Sequence, residues 1–334
     1  MKRLKVAVLG VTGAVGQEFL ELLKERKFPI ESLRLLASGR SAGKKIEFMG
    51  KTYQVEEATP TSFKGLDLVL SSAGGAISRE LAPHIVKSGA LMVDNTSAFR
   101  MDPEIPLVVP EINSEDIAKN KGIIANPNCS TIIMLVPLFP IHKVAKIKRI
   151  VAATYQAASG AGAKAMEELR VQARDFLDGR PVQKQVLPHQ IAFNVFSHNS
   201  RIGPDGYCEE ETKMVKETKK IFHDDAIRVT ATCVRVPVLR AHSEALFIET
   251  ERKISVEDVR QLLSKSPGVK VIDDREKNYF PMPIEATGHD DILVGRLRED
   301  LTVANGLSMF VAGDQIRKGA ALNAIQIAEL AFAS

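Results

Sequence analysis

The chain has 334 residues, 45% hydrophobic and 26% charged, a length at which one core stops growing and two domains become the expectation. That balance excludes a disordered or low-complexity chain. The formal charge of +4 comes from 45 basic and 41 acidic residues interspersed along the sequence; with no basic run, 4 Tyr and no Trp, nucleic-acid binding is excluded as well.

The opening MKRLKVAVLGVTGAVG carries a short apolar run, but Gly10 begins a helix-forming turn where a signal peptide would need a cleavage site. Residues 4–9 therefore read as a first strand. Residues 12–24 follow with Val15, Phe19, Leu22 and Leu23 at helical spacing. Between strand and helix, Gly10, Gly13 and Gly16 give GxxGxxG, placed where a backbone must approach a pyrophosphate and where helix N–H groups attract anions. Glycines at such a turn also serve tight packing alone, so the context carries the reading.

The next apolar run, residues 33–37, leads into Ser38, Gly39, Arg40, Ser41, Ala42, Gly43 and Lys44. The acid that usually meets the ribose hydroxyls in NAD-specific folds is missing there. Arg40 and Ser41 suit a 2′-phosphate, so NADP is expected over NAD, against the plainer reading of a solvated basic loop. Further apolar runs at 66–70, 91–94 and 123–125 complete a parallel sheet covered on both faces. Beyond Cys129 the strands lengthen, at 147–157, 228–238, 244–251 and 307–312, and a mixed sheet with helices on one side is expected. Residues 315–331 carry Ile316, Ala320, Ile325 and Leu330 in a pattern that fits a closing helix. No stretch is long and apolar enough to span a bilayer, and a soluble protein without a targeting segment is predicted.

Three cysteines, widely spaced and without a CxxC pair, predict neither disulfides nor a metal site, and a reducing cytoplasm fits them. Cys129 lies in Asn126-Pro127-Asn128-Cys129-Ser130-Thr131, between an apolar strand and the run 132–138, and should start a helix. A thiol at a helix N-terminus is shifted from about 8.5 toward the thiolate, the form that attacks carbonyls. Alone, a cysteine is more often a small buried hydrophobe, the reading kept for Cys208 and Cys233. A thiolate on an aldehyde gives a thiohemiacetal, then by hydride loss a thioester, and needs a base and anion-binding groups nearby. Among seven histidines, His242 stands out in Arg235-Val-Pro-Val-Leu-Arg240-Ala-His242, between strand-like segments and close to two arginines.

Seven segments in order, GVTGAVG, ASGRSAGK, NTSAFR, NPNCST, YQAASGAG, the EExK of Glu210 to Lys213, and RVPVLRAHSE, resemble the aspartate-semialdehyde dehydrogenase family in its bacterial branch, over nearly the whole chain. The resemblance implies Cys129 as the acyl-carrying nucleophile, Gln156 orienting the substrate and His242 as general acid/base. It implies Arg235 on the substrate α-carboxylate, Glu210 on its amino group, and Arg100, Asn128 and Lys213 on phosphate. For the cofactor it implies Gly10, Thr12, Gly13, Ala14 and Val15 at the pyrophosphate, Arg40 and Ser41 at the 2′-phosphate, Ser159 and Gly160 near the nicotinamide, and Gln315 on the closing helix.

The implied fold is α/β, with a Rossmann-like parallel-sheet domain for NADP at residues 1–128, completed by 315–334. A second α+β domain at 129–314 serves catalysis and dimerisation. The implied reaction is the NADPH-dependent reductive dephosphorylation of L-4-aspartyl phosphate to L-aspartate 4-semialdehyde, toward lysine, methionine and threonine, in a cytoplasmic homodimer or homotetramer. Arg100 as a solvated turn residue, acids that merely cap the helix at 209–213, and Gln156 satisfying buried backbone remain the plainer alternatives. Two other functions compete. N-acetyl-glutamyl-phosphate reductase shares the thioester logic but has no ammonium for Glu210 to meet, and a non-catalytic NADP-binding protein would keep the fold alone.

Overall fold

The computed structural model describes residues 2–333, which divide into two compact units, one running through Asn128 and resuming at Ala320, the other spanning Cys129–Gly319. In the first unit β1 (Leu4–Leu9), β2 (Ile30–Ala37), β5 (Glu56–Glu57), β6 (Leu68–Ser71), β7 (Leu91–Asp94) and β8 (Ile123–Ala125) form one sheet in the order β5-β2-β1-β6-β7-β8. Each pairing is parallel. A separate hairpin, β3 (Lys45–Phe48) with β4 (Lys51–Gln54), interrupts the path from β2 to β5.

Strands buried on both faces explain the near-continuous apolar runs. On one face Phe19, Leu22 and Leu23 of α1 (Ala14–Glu25) pack with Val6 and Val8 of β1 and with Ala324, Ile325 and Ala328 of α9 (Leu322–Ala331). On the other, Leu81, Ala82 and Ile85 of α2 (Gly75–Lys87) meet Ala7, Leu9 and Val69. A short α3 (Pro110–Asn113) packs against α9. Strand β1 lies between β2 and β6, so the strand order reverses at its carboxyl end, the place where open α/β sheets bind ligands.

The second unit holds β9 (Ile147–Gln156), β10 (Phe196–Ser197), β11 (Arg228–Arg235), β12 (His242–Thr250), β13 (Val269–Val271), β14 (Ile292–Glu299) and β15 (Gly306–Gly313) in one mixed sheet ordered β10-β11-β9-β12-β15-β14-β13. Helix α4 (Cys129–Ala145) is apolar around nearly its whole circumference and packs on this sheet with α6 (Glu209–Phe222) and α7 (Val256–Ser264). The remaining helices are α5 (Ala163–Leu177), whose Leu169 shares a small core with Leu187 and Ile191, and the single turn α8 (Pro283–Ala286).

Three boundaries depart from the sequence reading for physical reasons. Strand β11 stops at Arg235 rather than 238, because Pro237 has no N–H to give a ladder. Strand β12 begins at His242, which places that residue in the sheet instead of before it. The expected closing helix over 315–331 becomes a π-helical turn at Arg317–Ala321 followed by α9. Asp314 Oδ1 takes the N–H groups of Ile316 (3.0 Å) and Arg317 (3.2 Å), leaving Gln315 outside the helix. Among the described residues no helix is long and apolar enough to cross a membrane.

Candidate functional site

In the first unit, β1 runs into Gly10 at φ +87°, where an added Cβ would lie 2.6 Å from Ser72 O. A Cβ on Gly16 would lie 2.3 Å from Gly10 O, so only glycine lets α1 pack this close to the turn. Gly13, by contrast, meets only Gly10 O at 3.4 Å and serves as N-cap of α1. Among the described residues no side chain caps α1 and no acid occupies its first turn, so its leading N–H groups suit a pyrophosphate.

Arg40 and Ser41 occupy a 3-10 turn directly after β2, Arg40 exposed. Thr12 Oγ1 donates to Ser41 Oγ at 3.4 Å, which joins the two loops proposed for the nucleotide. An acid missing from this loop stands beside it nonetheless. Glu57 Oε1 would be 2.7 Å from a Cβ on Gly39, since β5 pairs with the end of β2.

Arg100 is buried, and its Nε donates to Asn126 O (2.9 Å) and its Nη2 to Asn95 O (3.0 Å), which rules out a solvated turn residue. Asn126 in turn donates to Asn95 Oδ1 at 2.7 Å and accepts from Asn323 Nδ2 at 2.7 Å. A buried polar network thus fixes the stretch that ends at Asn128, itself buried.

In the second unit, Cys129 is the first residue of α4 and is partly exposed, while Cys208 and Cys233 are buried. A Cβ on Gly319 would be 2.9 Å from Cys129 Cβ. Gln156 Nε2 donates to Ser130 Oγ at 2.9 Å, tying the end of β9 to the first turn of α4 and answering the alternative that its amide serves backbone. Register then does the assembly. Arg235 of β11 lies opposite Gln156, and since Ser243 lies opposite Tyr155, His242 of β12 stands on the same rung. Successive strand residues alternate faces, so these three side chains share the face that α4 covers.

His242 is wholly buried, its Nδ1 accepting the Ala157 N–H at 3.0 Å, while its Nε2 has no hydrogen-bond partner among the described residues. With Nδ1 an acceptor, the proton of the neutral ring sits on Nε2. Burial, and then the charge of Arg235, push its pKa down to about 3, so the neutral form prevails. Gly160 opens the space in front: a Cβ there would sit 3.0 Å from His242 Nε2 and 2.8 Å from Arg235 Nη1.

Among the described residues Arg235 has three anchors. Nε donates to Asn199 Oδ1 (3.3 Å), Nη1 to Ala157 O (3.2 Å) and Nη2 to His198 Nε2 (2.9 Å). A guanidinium has five N–H groups, so two remain for a ligand. Glu210, in the first turn of α6 and buried, receives Lys213 Nζ at 3.1 Å. Capping falls to Glu211, which accepts the N–H groups of Cys208 (2.8 Å) and Cys233 (2.9 Å).

Ser159 and Gln315 are both buried and bonded to each other, and Gln315 Oε1 accepts the Ala241 N–H at 2.9 Å. Ala241 has φ +72°, a left-handed conformation that costs a non-glycine residue of order 1 kcal/mol and is held by this contact just before His242. Sequence reasoning missed His198, Asn199, Ser130 and Glu57, and no periodicity marks any of them. It missed Glu244 too, which lies on the His242 face of β12, buried with both carboxylate oxygens lacking partners among the described residues. Burial, then Glu210, raise its pKa well above the usual carboxylate range.

Comparison with known proteins places this geometry among relatives. Residues 5–120 match the model "Semialdehyde dehydrogenase, NAD binding domain" and 138–318 "Semialdehyde dehydrogenase, dimerisation domain". The chain is 59% identical to the aspartate-semialdehyde dehydrogenase of Synechocystis sp., covering 98% of this chain and 97% of that one. It is 54% identical to that of Aquifex aeolicus, again with 98% and 97% covered. The crystal structure of aspartate semialdehyde dehydrogenase II from Vibrio cholerae, complexed with ASA, superposes with a TM-score of 0.96 at 45% identity over 99% of this chain and 98% of that one. The Candida albicans enzyme with NADP gives a TM-score of 0.77 at 27% identity, with 98% of each chain covered.

Proposed function

The chain belongs to the aspartate-semialdehyde dehydrogenase family, oxidoreductases that act on an aldehyde group, and from that premise we propose that it works with NADPH and a thioester on Cys129. In the reductive direction it converts L-4-aspartyl phosphate to L-aspartate 4-semialdehyde and phosphate. The His242–Gln156–Arg235 rung facing the space that Gly160 leaves open carries this reading.

Cys129 attacks the acyl carbonyl as a thiolate, favoured at the α4 N-terminus, and phosphate leaves to give the thioester. A nicotinamide nucleotide, when bound, would supply the hydride for reduction of the thioester to the aldehyde, with the Cys129 thiolate as leaving group. Negative charge gathers on the carbonyl oxygen in both steps, and a fixed N–H donor stabilises it most where water is excluded. Of the general acid/base role implied for His242, the tautomer supports the donor half, Nε2–H to that oxygen. Gln156, fixed by Ser130, orients the acyl group. The two uncommitted N–H groups of Arg235 fit a carboxylate end-on, and Glu210 takes the substrate ammonium. Arg100, Asn128 and Lys213 hold phosphate.

For the nucleotide, Gly10, Thr12, Gly13, Ala14 and Val15 surround the pyrophosphate and Arg40 with Ser41 the 2′-phosphate, while Ser159, Gly160 and Gln315 serve the nicotinamide side. The open face of the second sheet carries Tyr155 and Phe247, both partly exposed, which supports a homodimer or homotetramer built on that face. A cytoplasmic setting fits three free thiols.

Nicotinamide absorbance is followed with purified protein, aspartate 4-semialdehyde, NADP and phosphate. Turnover should appear and stop when phosphate is omitted. Turnover only with N-acetyl-glutamate semialdehyde would move the chain to the reductase reaction, and silence with both would leave a binding protein. In the same assay Arg40→Ala should raise the KM for NADP about tenfold and that for NAD less than about twofold. Equal losses for both nucleotides would remove Arg40 from the 2′-phosphate.

A further inference from the structure

We propose that His198 is a positioning residue that aims the Arg235 guanidinium and couples the groups recognising the two ends of the α-amino-acid head. The inference rests on the reading that Arg235 receives the α-carboxylate and Glu210 the α-ammonium. His198 follows β10, the edge strand whose Phe196 lies opposite Arg235, so the fold brings its ring to the guanidinium.

A guanidinium only donates hydrogen bonds, so the 2.9 Å contact to Arg235 Nη2 requires a lone pair on His198 Nε2. The ring proton is then assigned to Nδ1, where Ser200 Oγ lies 3.0 Å away to accept it; the Ser200 N–H, 3.2 Å from the same Nδ1, is the longer contact that this tautomer gives up. Ser200 Oγ also accepts the Glu210 N–H at 3.2 Å. One hydrogen-bonded chain therefore runs from Arg235 through His198 and Ser200 to the backbone of Glu210, spanning both groups proposed for the amino-acid head. With Asn199 on Nε, it settles the plane in which the two remaining N–H groups point.

The ring must stay neutral for this arrangement, since an imidazolium would set an N–H against Arg235. Its surroundings ensure that: burial and the cations Arg235 and Lys213 outweigh Glu210 and Glu211, and the pKa falls to about 4.

Steady-state kinetics of the full-length enzyme in the oxidative direction, with His198→Ala, His198→Gln and Arg235→Ala, test the proposal. His198→Ala should raise the KM for aspartate 4-semialdehyde about tenfold, with kcat within about threefold and the KM values for phosphate and NADP unchanged. His198→Gln, whose amide oxygen accepts from the guanidinium, should return that KM to within about threefold of the parent. An unchanged aldehyde KM in His198→Ala, a rise in all three KM values together, or a glutamine that fails to rescue would each overturn the assignment. Arg235→Ala separates the premise from the inference. If it leaves the aldehyde KM unaltered, the carboxylate reading falls and the proposal with it, whereas a large effect there beside a silent His198→Ala removes the proposal alone.

Discussion

Cys129→Ala should lower kcat for phosphate-dependent aldehyde oxidation by at least about 10⁴-fold, because no other group at the site can carry the acyl chain. The neighbouring thiols are poor substitutes. Cys208 and Cys233 are buried, and burial raises the Cys233 pKa away from the thiolate. Cys208→Ala and Cys233→Ala should therefore keep kcat within about threefold of the parent. Mass spectrometry of enzyme quenched during turnover should find the added aspartyl group on the peptide containing Cys129. A Cys129→Ala protein retaining a tenth of the parental rate, or label on another peptide, would end the thioester reading.

The largest loss of stability is expected at a residue that touches no substrate. Asp314 is wholly buried and accepts Arg240 Nε at 2.7 Å and Gly288 N at 2.7 Å on one oxygen, with Ile316 N at 3.0 Å and Arg317 N at 3.2 Å on the other. Asp314→Ala removes the carboxylate from all four donors at once. Breaking a buried ion pair costs about 3–5 kcal/mol, much of it the desolvation of groups left behind. Asp314→Asn keeps an acceptor oxygen and should fall between alanine and the parent. Urea unfolding followed by circular dichroism measures both. Destabilisation of less than about 1 kcal/mol by alanine would mean that these donors find other partners. Gln315 follows directly and fixes the Ala241 N–H before His242, so activity should fall with stability.

The first unit was legible because its physics is local. Each strand buried on both faces writes a near-continuous apolar run, and a glycine forced by a 2.3 Å approach leaves its own mark. Residue types at the site were legible too: a cysteine at a strand end, a histidine between arginines. Their convergence was not. Gln156 meets Arg235 through parallel pairing of β9 with β11, and His242 through antiparallel pairing of β9 with β12, and periodicity carries no register between strands so far apart in sequence. His198 and Ser200 lie in irregular chain, where no pattern distinguishes a structural side chain from a loop residue. The missing acid near Arg40 was sought at the end of β2, whereas Glu57 arrives from β5 beyond an intervening hairpin. The closing helix ran too long in the sequence reading because apolar spacing cannot register Asp314 capturing the N–H groups that would have begun it.

The rung has a consequence for how the enzyme comes into being. Its three side chains belong to three strands, and side chains alternate faces along each, so a slip of one residue in β12 would turn His242 away from Gln156 and Arg235 altogether. On the roles proposed for these side chains, catalytic competence is quantised. A chain with most of its helices and strands in place but one pairing misaligned has no fraction of the activity, and a newly synthesised copy stays silent until its most distant strands have found their partners.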